Sequence, residues 1–165
     1  MVLTYLVPKT EKGDMSLSVF TEIFGASPVS RLFANVRERL SLCYYCSATA
    51  IKEASLLIVR SGLDGENRAL AISEIQRQLD DLSCPENIGD DEMDAAKASL
   101  LSMLKTLTDS TLAYSMWYVR RRLGGADTDL SGAMKAIEAV TKEDVARIAK
   151  GAKLQLSYFL EGTEG

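Results

Sequence analysis

Arg37 and Tyr44 are the residues of this 165-residue sequence whose types and spacing best suit chemistry. They lie seven positions apart, nearly two turns of a helix, where a predicted helix gives way to a predicted strand. A guanidinium and a phenol directed at one point form a donor pair suited to a carbonyl oxygen or a developing oxyanion. The competing interpretation is a surface arginine beside a strand tyrosine that packs its ring.

Cys43 and Cys46 form a Cys-x-x-Cys pair in the same segment. Such a pair binds zinc or performs disulfide exchange in some proteins, and in others it is simply two small buried residues. A structural zinc ion needs four ligands, whereas the sequence offers one further cysteine, Cys84, and no histidine. A redox pair usually lies at the start of a helix, but this one follows a predicted helix end. Small buried residues are therefore the favoured interpretation.

The elements that must position these residues can be predicted from periodicity. Ser27 suits an N-cap and Pro28 a first helical turn, so a helix is predicted from there to Ser41, where the pattern changes. Its apolar positions fall on one face, which should dock on a core. These positions are Val29, Leu32, Phe33, Val36 and Leu40. Residues 44–51 then alternate as a strand and form a predicted hairpin with residues 54–63, turning at Lys52-Glu53.

The rest of the chain predicts an α+β fold: an antiparallel sheet of about four strands packed against several helices. A strand over 2–7 precedes a polar loop over 9–14 and a helix over 15–24. Leu70, Ile75, Leu79 and Leu82 are predicted to face inward from a helix over 67–82. Further helices are predicted over 90–107, from Asp109-Ser110 to 123, over 131–139 and over 142–150, followed by a strand over 153–160 with one buried face.

Composition limits the function. The length suits one domain, and 47% hydrophobic with 25% charged residues is typical of a globular protein. The net charge of −4 argues against a nucleic-acid partner, and no apolar run is long enough to span a membrane. The sequence opens with no signal-peptide pattern, so a cytoplasmic location is expected. The absence of histidine removes the commonest metal ligand and general base from this chain.

The sequence also resembles a known protein family. The segments Phe24-Gly25-Ala26-Ser27, Ser30-Arg31-Leu32-Phe33, Val36-Arg37-Glu38 and Leu42-Cys43-Tyr44 resemble the C-terminal, non-zinc domain of the pitrilysin/insulysin/mitochondrial processing peptidase family of zinc metallopeptidases. The similarity extends over nearly the whole chain. The sequence departs from the family pattern at Cys43, where glycine or alanine is usual.

The resemblance implies a single processing-peptidase-like domain over 1–165 that forms a fragment or half of a larger peptidase and is inactive alone. Zinc and its glutamate base would lie on an inverted H-x-x-E-H motif in a partner domain or subunit. That partner would belong to the same chain or to a second subunit of a homo- or heterodimer. By motif, Arg37 and Tyr44 would hold the carbonyl of a peptide substrate, with Tyr45 as the alternative, because a one-residue slip in a strand reverses the face. Two alternatives stay open: a non-catalytic structural homologue that scaffolds an assembly, and a Cys-x-x-Cys metal or redox module.

Overall fold

A four-stranded antiparallel sheet organises the part of the chain that the computed structural model describes, residues 1–9, 11 and 14–161. Its strands are β1 Val2–Leu6, β2 Tyr45–Ile51, β3 Leu56–Gly62 and β4 Lys153–Tyr158, in the spatial order β2-β3-β1-β4. Every pairing is antiparallel. The predicted α+β class and the predicted number of strands are confirmed.

The hairpin of β2 and β3 follows the prediction closely. Tyr45 pairs with Gly62 at one end and Ile51 with Leu56 at the other. The connection is a 3₁₀ turn over Lys52–Ala54, and it closes through Ser55 in the left-handed region at φ 54°. β1 then pairs with the free edge of β3, which places the N-terminal strand in the interior of the sheet.

Seven helices accompany the sheet in the described residues. α1 is Ser16–Thr21 and continues as a wide π-type turn over Glu22–Ala26. The Arg37 helix is Leu32–Arg39, also with π-type turns. The remaining helices are α2 Arg68–Asp81, α3 Asp90–Thr106, α4 Thr111–Leu123, α5 Leu130–Glu138 and α6 Lys142–Gly151. The loop predicted over 9–14 lies partly outside the described residues.

Two helices carry the predicted caps, whereas the predicted start of the Arg37 helix at Ser27 and Pro28 was wrong, because this helix begins at Leu32. The Ser110 hydroxyl accepts a hydrogen bond from the Ala113 N–H at the start of α4. Thr141 and Asp144 form a reciprocal capping box at the start of α6. α5 begins one residue earlier than predicted because the Asp129 carboxylate accepts from the N–H groups of the first turn.

The core lies between the helices and one face of the sheet. Alternation along the strands buries the side chains on that inner face. The inner strand residues are Leu3, Tyr5, Cys46, Ala48, Leu57 and Val59. Phe20 and Phe24 stack with ring centroids 5.4 Å apart and are fully buried in the same core.

Some burial predictions were wrong. All six residues of β4 are exposed, so this edge strand has no buried face. Leu70 is 60% exposed, because α2 packs through Ala71, Ile75 and Leu79 instead. Val29 and Leu40 are also exposed, since they lie beyond the two ends of the Arg37 helix. None of the described helices is long and apolar enough to cross a membrane.

Candidate functional site: an arginine and tyrosine pocket

The apolar face of the Arg37 helix determines where Arg37 points. Leu32 and Val36 are fully buried against the core, so Arg37, next to Val36, is directed outward. The helix ends at Arg39, and Ser41 adopts φ 50°, in the left-handed region. The Leu42 N–H donates to the Val36 carbonyl at 3.0 Å, which folds the chain back on the helix end before β2 begins.

Arg37 and Tyr44 line one open cavity of about 450 Å³, which we call the Arg37 pocket. Its lining residues are Arg37, Glu38, Ser41, Leu42, Cys43, Tyr44, Leu63, Asp64 and Asn67. From helical spacing, the sequence predicted that Arg37 and Tyr44 would be directed at one place. Both side chains line the pocket because the chain turns back at Ser41 after the end of the helix.

Arg37 is held in place without being enclosed. Its guanidinium carbon lies 4.8 Å from the centroid of the Phe33 ring, in a cation–π contact. Its Nε atom lies 3.5 Å from a carboxylate oxygen of Glu38. The side chain is still 43% exposed, so most of its donors remain available to a ligand.

Tyr44 is fixed by its backbone and by its phenol. Its N–H donates to the Gly62 carbonyl at 2.7 Å, which anchors the residue at the end of the hairpin. Its Oη donates to both carboxylate oxygens of Asp64, at 2.9 and 2.8 Å. The hydrogen bond to Asp64, together with the carboxylate's charge, raises the pKa of Tyr44 above its ordinary value.

Tyr45 lies on the other side of the strand. Its ring covers Gly62 on the outer face of the sheet, where a Cβ at position 62 would meet Tyr45 Cδ1 at 2.8 Å. Tyr45 does not line the Arg37 pocket. Of the two tyrosines considered from the sequence, the one beside Arg37 in the structure is therefore Tyr44.

Asp64 and Asn67 were missed by the sequence reading. Both lie just after β3, on the segment that the hairpin register brings opposite Tyr44. Because Tyr45 pairs with Gly62, the residues after Gly62 must lie near Tyr44. A signal was therefore available in the sequence: an acidic residue one position beyond the predicted strand end at residue 63.

The three cysteines lie in different environments. All three are free thiols: Cys46 is buried on the inner face of β2, Cys43 is half-buried in the pocket wall, and Cys84 is exposed elsewhere. Burial raises the pKa of Cys46 to about 12 and also raises that of Cys43. Both thiols are therefore protonated at neutral pH and are poor nucleophiles.

The residues that the structure describes provide no fitting zinc site. Histidine is absent from the sequence, and no group of three or more cysteine, aspartate or glutamate side chains in the described residues is placed to hold a metal ion. The Arg37 pocket offers hydrogen-bonding and charged groups rather than a set of metal ligands.

These features define an α+β domain with an open arginine and tyrosine pocket at one end of its sheet. The sequence of residues 1–100 matches the family described as the peptidase M16 inactive domain. The chain belongs to this family of metallopeptidase-like proteins, and the resemblance noted from the sequence is confirmed.

Similar proteins extend well beyond this chain. A Bacillus subtilis (strain 168) protein named Probable inactive metalloprotease YmfF is 30% identical over 156 residues, which cover 94% of this chain and 36% of that protein. A conserved protein from Enterococcus faecalis V583 is 28% identical, with a TM-score of 0.84 over 93% of this chain and 37% of that structure. A protease from Helicobacter pylori shares the fold, with a TM-score of 0.79 at 18% identity, over 92% of this chain and 37% of that one. The chain thus spans just over a third of the length of each of these proteins.

Proposed function

We propose that this domain binds an extended peptide at the Arg37 pocket, as the non-zinc part of an M16 peptidase-like assembly, and that it is inactive alone. The observation that carries the proposal is that Arg37 and Tyr44 line the same open cavity. A carbonyl oxygen bound there accepts hydrogen bonds from the Arg37 guanidinium and, where its proton is free, from the Tyr44 phenol.

The chemistry assigned to this chain is positioning and charge stabilisation. Arg37 stays charged at any physiological pH and offers a planar set of donors to a polarised carbonyl. Its stacking on Phe33 restricts the side chain before a ligand arrives, so less side-chain conformational entropy is lost on binding. Since zinc ligands are not assembled in the described residues, any zinc chemistry belongs to a partner.

The proposed partner is a zinc-bearing M16 domain, in the same polypeptide or in a second subunit of a homo- or heterodimer. The proposal is supported by length: the chain covers 36% of the Bacillus subtilis relative and 37% of the Enterococcus faecalis structure. By this account, residues 1–165 are one domain of a larger protein, and the peptide lies between the partner and the Arg37 pocket.

A second candidate function is a non-catalytic structural homologue. The name of the Bacillus subtilis relative, an inactive metalloprotease, favours it. In that case the domain supports an assembly and the Arg37 pocket binds no peptide.

Peptide binding separates the two candidates. A blocked, unstructured peptide rich in leucine and arginine is titrated into the isotope-labelled chain, and backbone amide shifts are followed by NMR. Peptide binding at the pocket predicts shifts at residues 37–44 and 62–67, and at least tenfold weaker binding by Arg37→Ala. Tyr45→Phe is the matched control and should bind like the unsubstituted chain, because Tyr45 lies on the outer sheet face.

The assembled enzyme provides the second measurement. Loss of one oxyanion donor typically lowers turnover ~10²–10³-fold. Arg37→Ala should show a loss of this size when the domain is combined with its zinc-bearing partner, with an unchanged circular dichroism spectrum. Normal turnover, or a peptide that shifts no pocket signal, favours the scaffold.

A further inference from the structure

The charged side chains that line the Arg37 pocket differ in whether an opposite charge lies close to them. Arg37 has Glu38 as a nearby counter-charge, with Nε 3.5 Å from a Glu38 carboxylate oxygen. The side-chain partner of the Asp64 carboxylate is the uncharged phenol of Tyr44, and no salt bridge to Asp64 occurs within the described residues. The side of the pocket near Tyr44 therefore carries a carboxylate without a cation.

The direction of the Tyr44 hydrogen bond determines what this side can bind. A phenol has one proton, and Tyr44 donates it to Asp64. Towards any further group, Tyr44 Oη offers its lone pairs, and the Asp64 oxygens keep acceptor capacity of their own. The pocket consequently has a donor side at Arg37 and an acceptor side at Tyr44 and Asp64.

Local backbone structure does not account for the Asp64 carboxylate. Asp64 precedes the 3₁₀ turn Gly65–Asn67, where its carbonyl, not its side chain, accepts from the Asn67 N–H at 3.0 Å. The carboxylate therefore does not cap this turn, and it accepts a hydrogen bond from Tyr44 in the pocket wall.

We propose that Asp64 and Tyr44 form a subsite for a cationic donor, the guanidinium or ammonium group of a basic residue in the bound peptide. The inference rests on the proposed function, since it assigns the peptide class that the Arg37 pocket takes. A basic side chain donates to the Asp64 carboxylate and the Tyr44 oxygen while the peptide carbonyl accepts from Arg37.

Binding of the cation also changes what Tyr44 can do. A guanidinium on Asp64 weakens the carboxylate's hold on the phenol, because the two donors then share the same acceptor oxygens. The Tyr44 proton becomes available to the neighbouring carbonyl. Asp64 is thereby a specificity and positioning residue, acting on the carbonyl through Tyr44.

Two blocked tripeptides test this subsite. Acetyl-Leu-Arg-Leu-amide and acetyl-Leu-citrulline-Leu-amide have the same shape and the same carbonyls, but only the first carries a charge. We expect the arginine peptide to bind the labelled chain about three- to fivefold more tightly by NMR titration, the effect of a solvent-exposed ion pair. Asp64→Asn should abolish the difference between the two peptides. Asp94→Asn, which removes an exposed carboxylate on α3, should preserve the difference.

The outcomes separate this inference from the proposed function. Equal affinity of the unsubstituted chain for both tripeptides overturns the cationic subsite but leaves peptide binding intact. A preference for arginine that survives in Asp64→Asn also overturns it. If neither tripeptide shifts a pocket signal, the cationic subsite and the proposed function fail together.

A second readout follows the phenol itself. The pKa of Tyr44 is measured by NMR on the chain carrying ¹³C-labelled tyrosine. Since Asp64 raises this pKa, Asp64→Asn should lower it towards the ordinary tyrosine value, and the arginine tripeptide should move it in the same direction. The citrulline tripeptide should have a smaller effect. A Tyr44 pKa that is unaffected by Asp64→Asn contradicts the proposed control of the phenol by Asp64.

Discussion

The guanidinium of Arg31 donates from Nε and Nη2 to the two carboxylate oxygens of Glu92, at 2.7 and 2.8 Å. Its Nη1 donates to Asp81 at 2.5 Å, and Nη2 also donates to the Asn87 carbonyl at 2.6 Å. The Arg31 side chain is almost completely buried. One arginine therefore joins the start of the Arg37 helix to the end of α2 and the first turn of α3.

Replacing Arg31 should destabilise the fold substantially. Arg31→Ala leaves two carboxylates close together without their cation, and breaking a buried pair typically costs about 3–5 kcal/mol. Glu92 and Asp81 retain some contact with water, so we expect a loss of about 2–4 kcal/mol in the free energy of unfolding. Arg31→Lys keeps the charge but loses the bidentate geometry, so its free energy of unfolding should lie between those of Arg31→Ala and the unsubstituted chain. Urea unfolding followed by circular dichroism measures both; a loss below about 0.5 kcal/mol for Arg31→Ala would contradict the account.

Glu74 should make stability depend on acid pH. It is nearly buried and accepts hydrogen bonds from Arg77, Gln78 and Arg39, and chiefly Arg77 lowers its pKa from 4.5 to about 2. Because the pKa is depressed in the folded state, the stabilisation is complete above about pH 4.5 and is lost as pH falls towards 2. A shift of this size corresponds to stabilisation on the order of 3 kcal/mol.

Glu74→Gln isolates this contribution. The variant should be less stable than the unsubstituted chain at pH 7, and the difference should shrink as the pH approaches 2, measured by urea midpoints across the range. The exposed Glu66→Gln serves as the control and should show a small difference at every pH. A Glu74→Gln difference that stays constant with pH would exclude the depressed pKa as its cause.

Gly25 should tolerate no side chain. A Cβ at this position would lie 2.7 Å from Ala48 Cβ, 2.8 Å from the Ala48 nitrogen and 2.9 Å from Leu32 Cδ1. Since β2 and the Arg37 helix would have to separate, Gly25→Ala should lower the free energy of unfolding by about 1–3 kcal/mol. Gly65→Ala is the matched control, because its nearest neighbour would be Glu161 Oε1 at 3.6 Å. Thermal unfolding compares the two, and equal melting temperatures would argue against the close approach.

The cysteines should differ in their rates of alkylation. The thiolate is the reactive form, and burial raises the pKa of Cys43 and Cys46. With iodoacetamide at pH 8, exposed Cys84 should react first and Cys46 last, by mass spectrometry of the digested protein. If Cys43 or Cys46 reacted fastest, or if the purified chain retained zinc, the Cys-x-x-Cys metal or redox alternative would regain support.

Periodicity was sufficient to predict the α+β fold. The hairpin and most helix bounds follow from alternation, capping residues and glycine breaks, which act locally and are readable from the sequence. β4 shows the limit of this reasoning. Its alternation of Leu154, Leu156 and Tyr158 suggested one buried face, but burial depends on whether another element covers the strand. In the described residues the helices pack on the inner faces of β1, β2 and β3.

The candidate site was predictable in part. Arg37 and Tyr44 were selected by type and spacing, and the structure puts both in one pocket. The left-handed turn at Ser41, which brings them together, was not readable, since serine has no special preference for that conformation. Asp64 was missed for a different reason: its contact with Tyr44 joins residues 20 positions apart and depends on the hairpin register.

The sheet order also decides how this domain connects to other polypeptide. The Met1 backbone nitrogen donates to the Ser61 carbonyl at 2.7 Å, and Val2 pairs with Tyr158. Ser61 immediately precedes Gly62, which accepts from the Tyr44 N–H. Any polypeptide joined before β1 or shortly after β4 thus emerges from the same end of the sheet as the Arg37 pocket. A domain tethered there by a short flexible linker would face the pocket at an effective concentration on the order of millimolar, so binding with a dissociation constant below that concentration would keep the domain at the pocket.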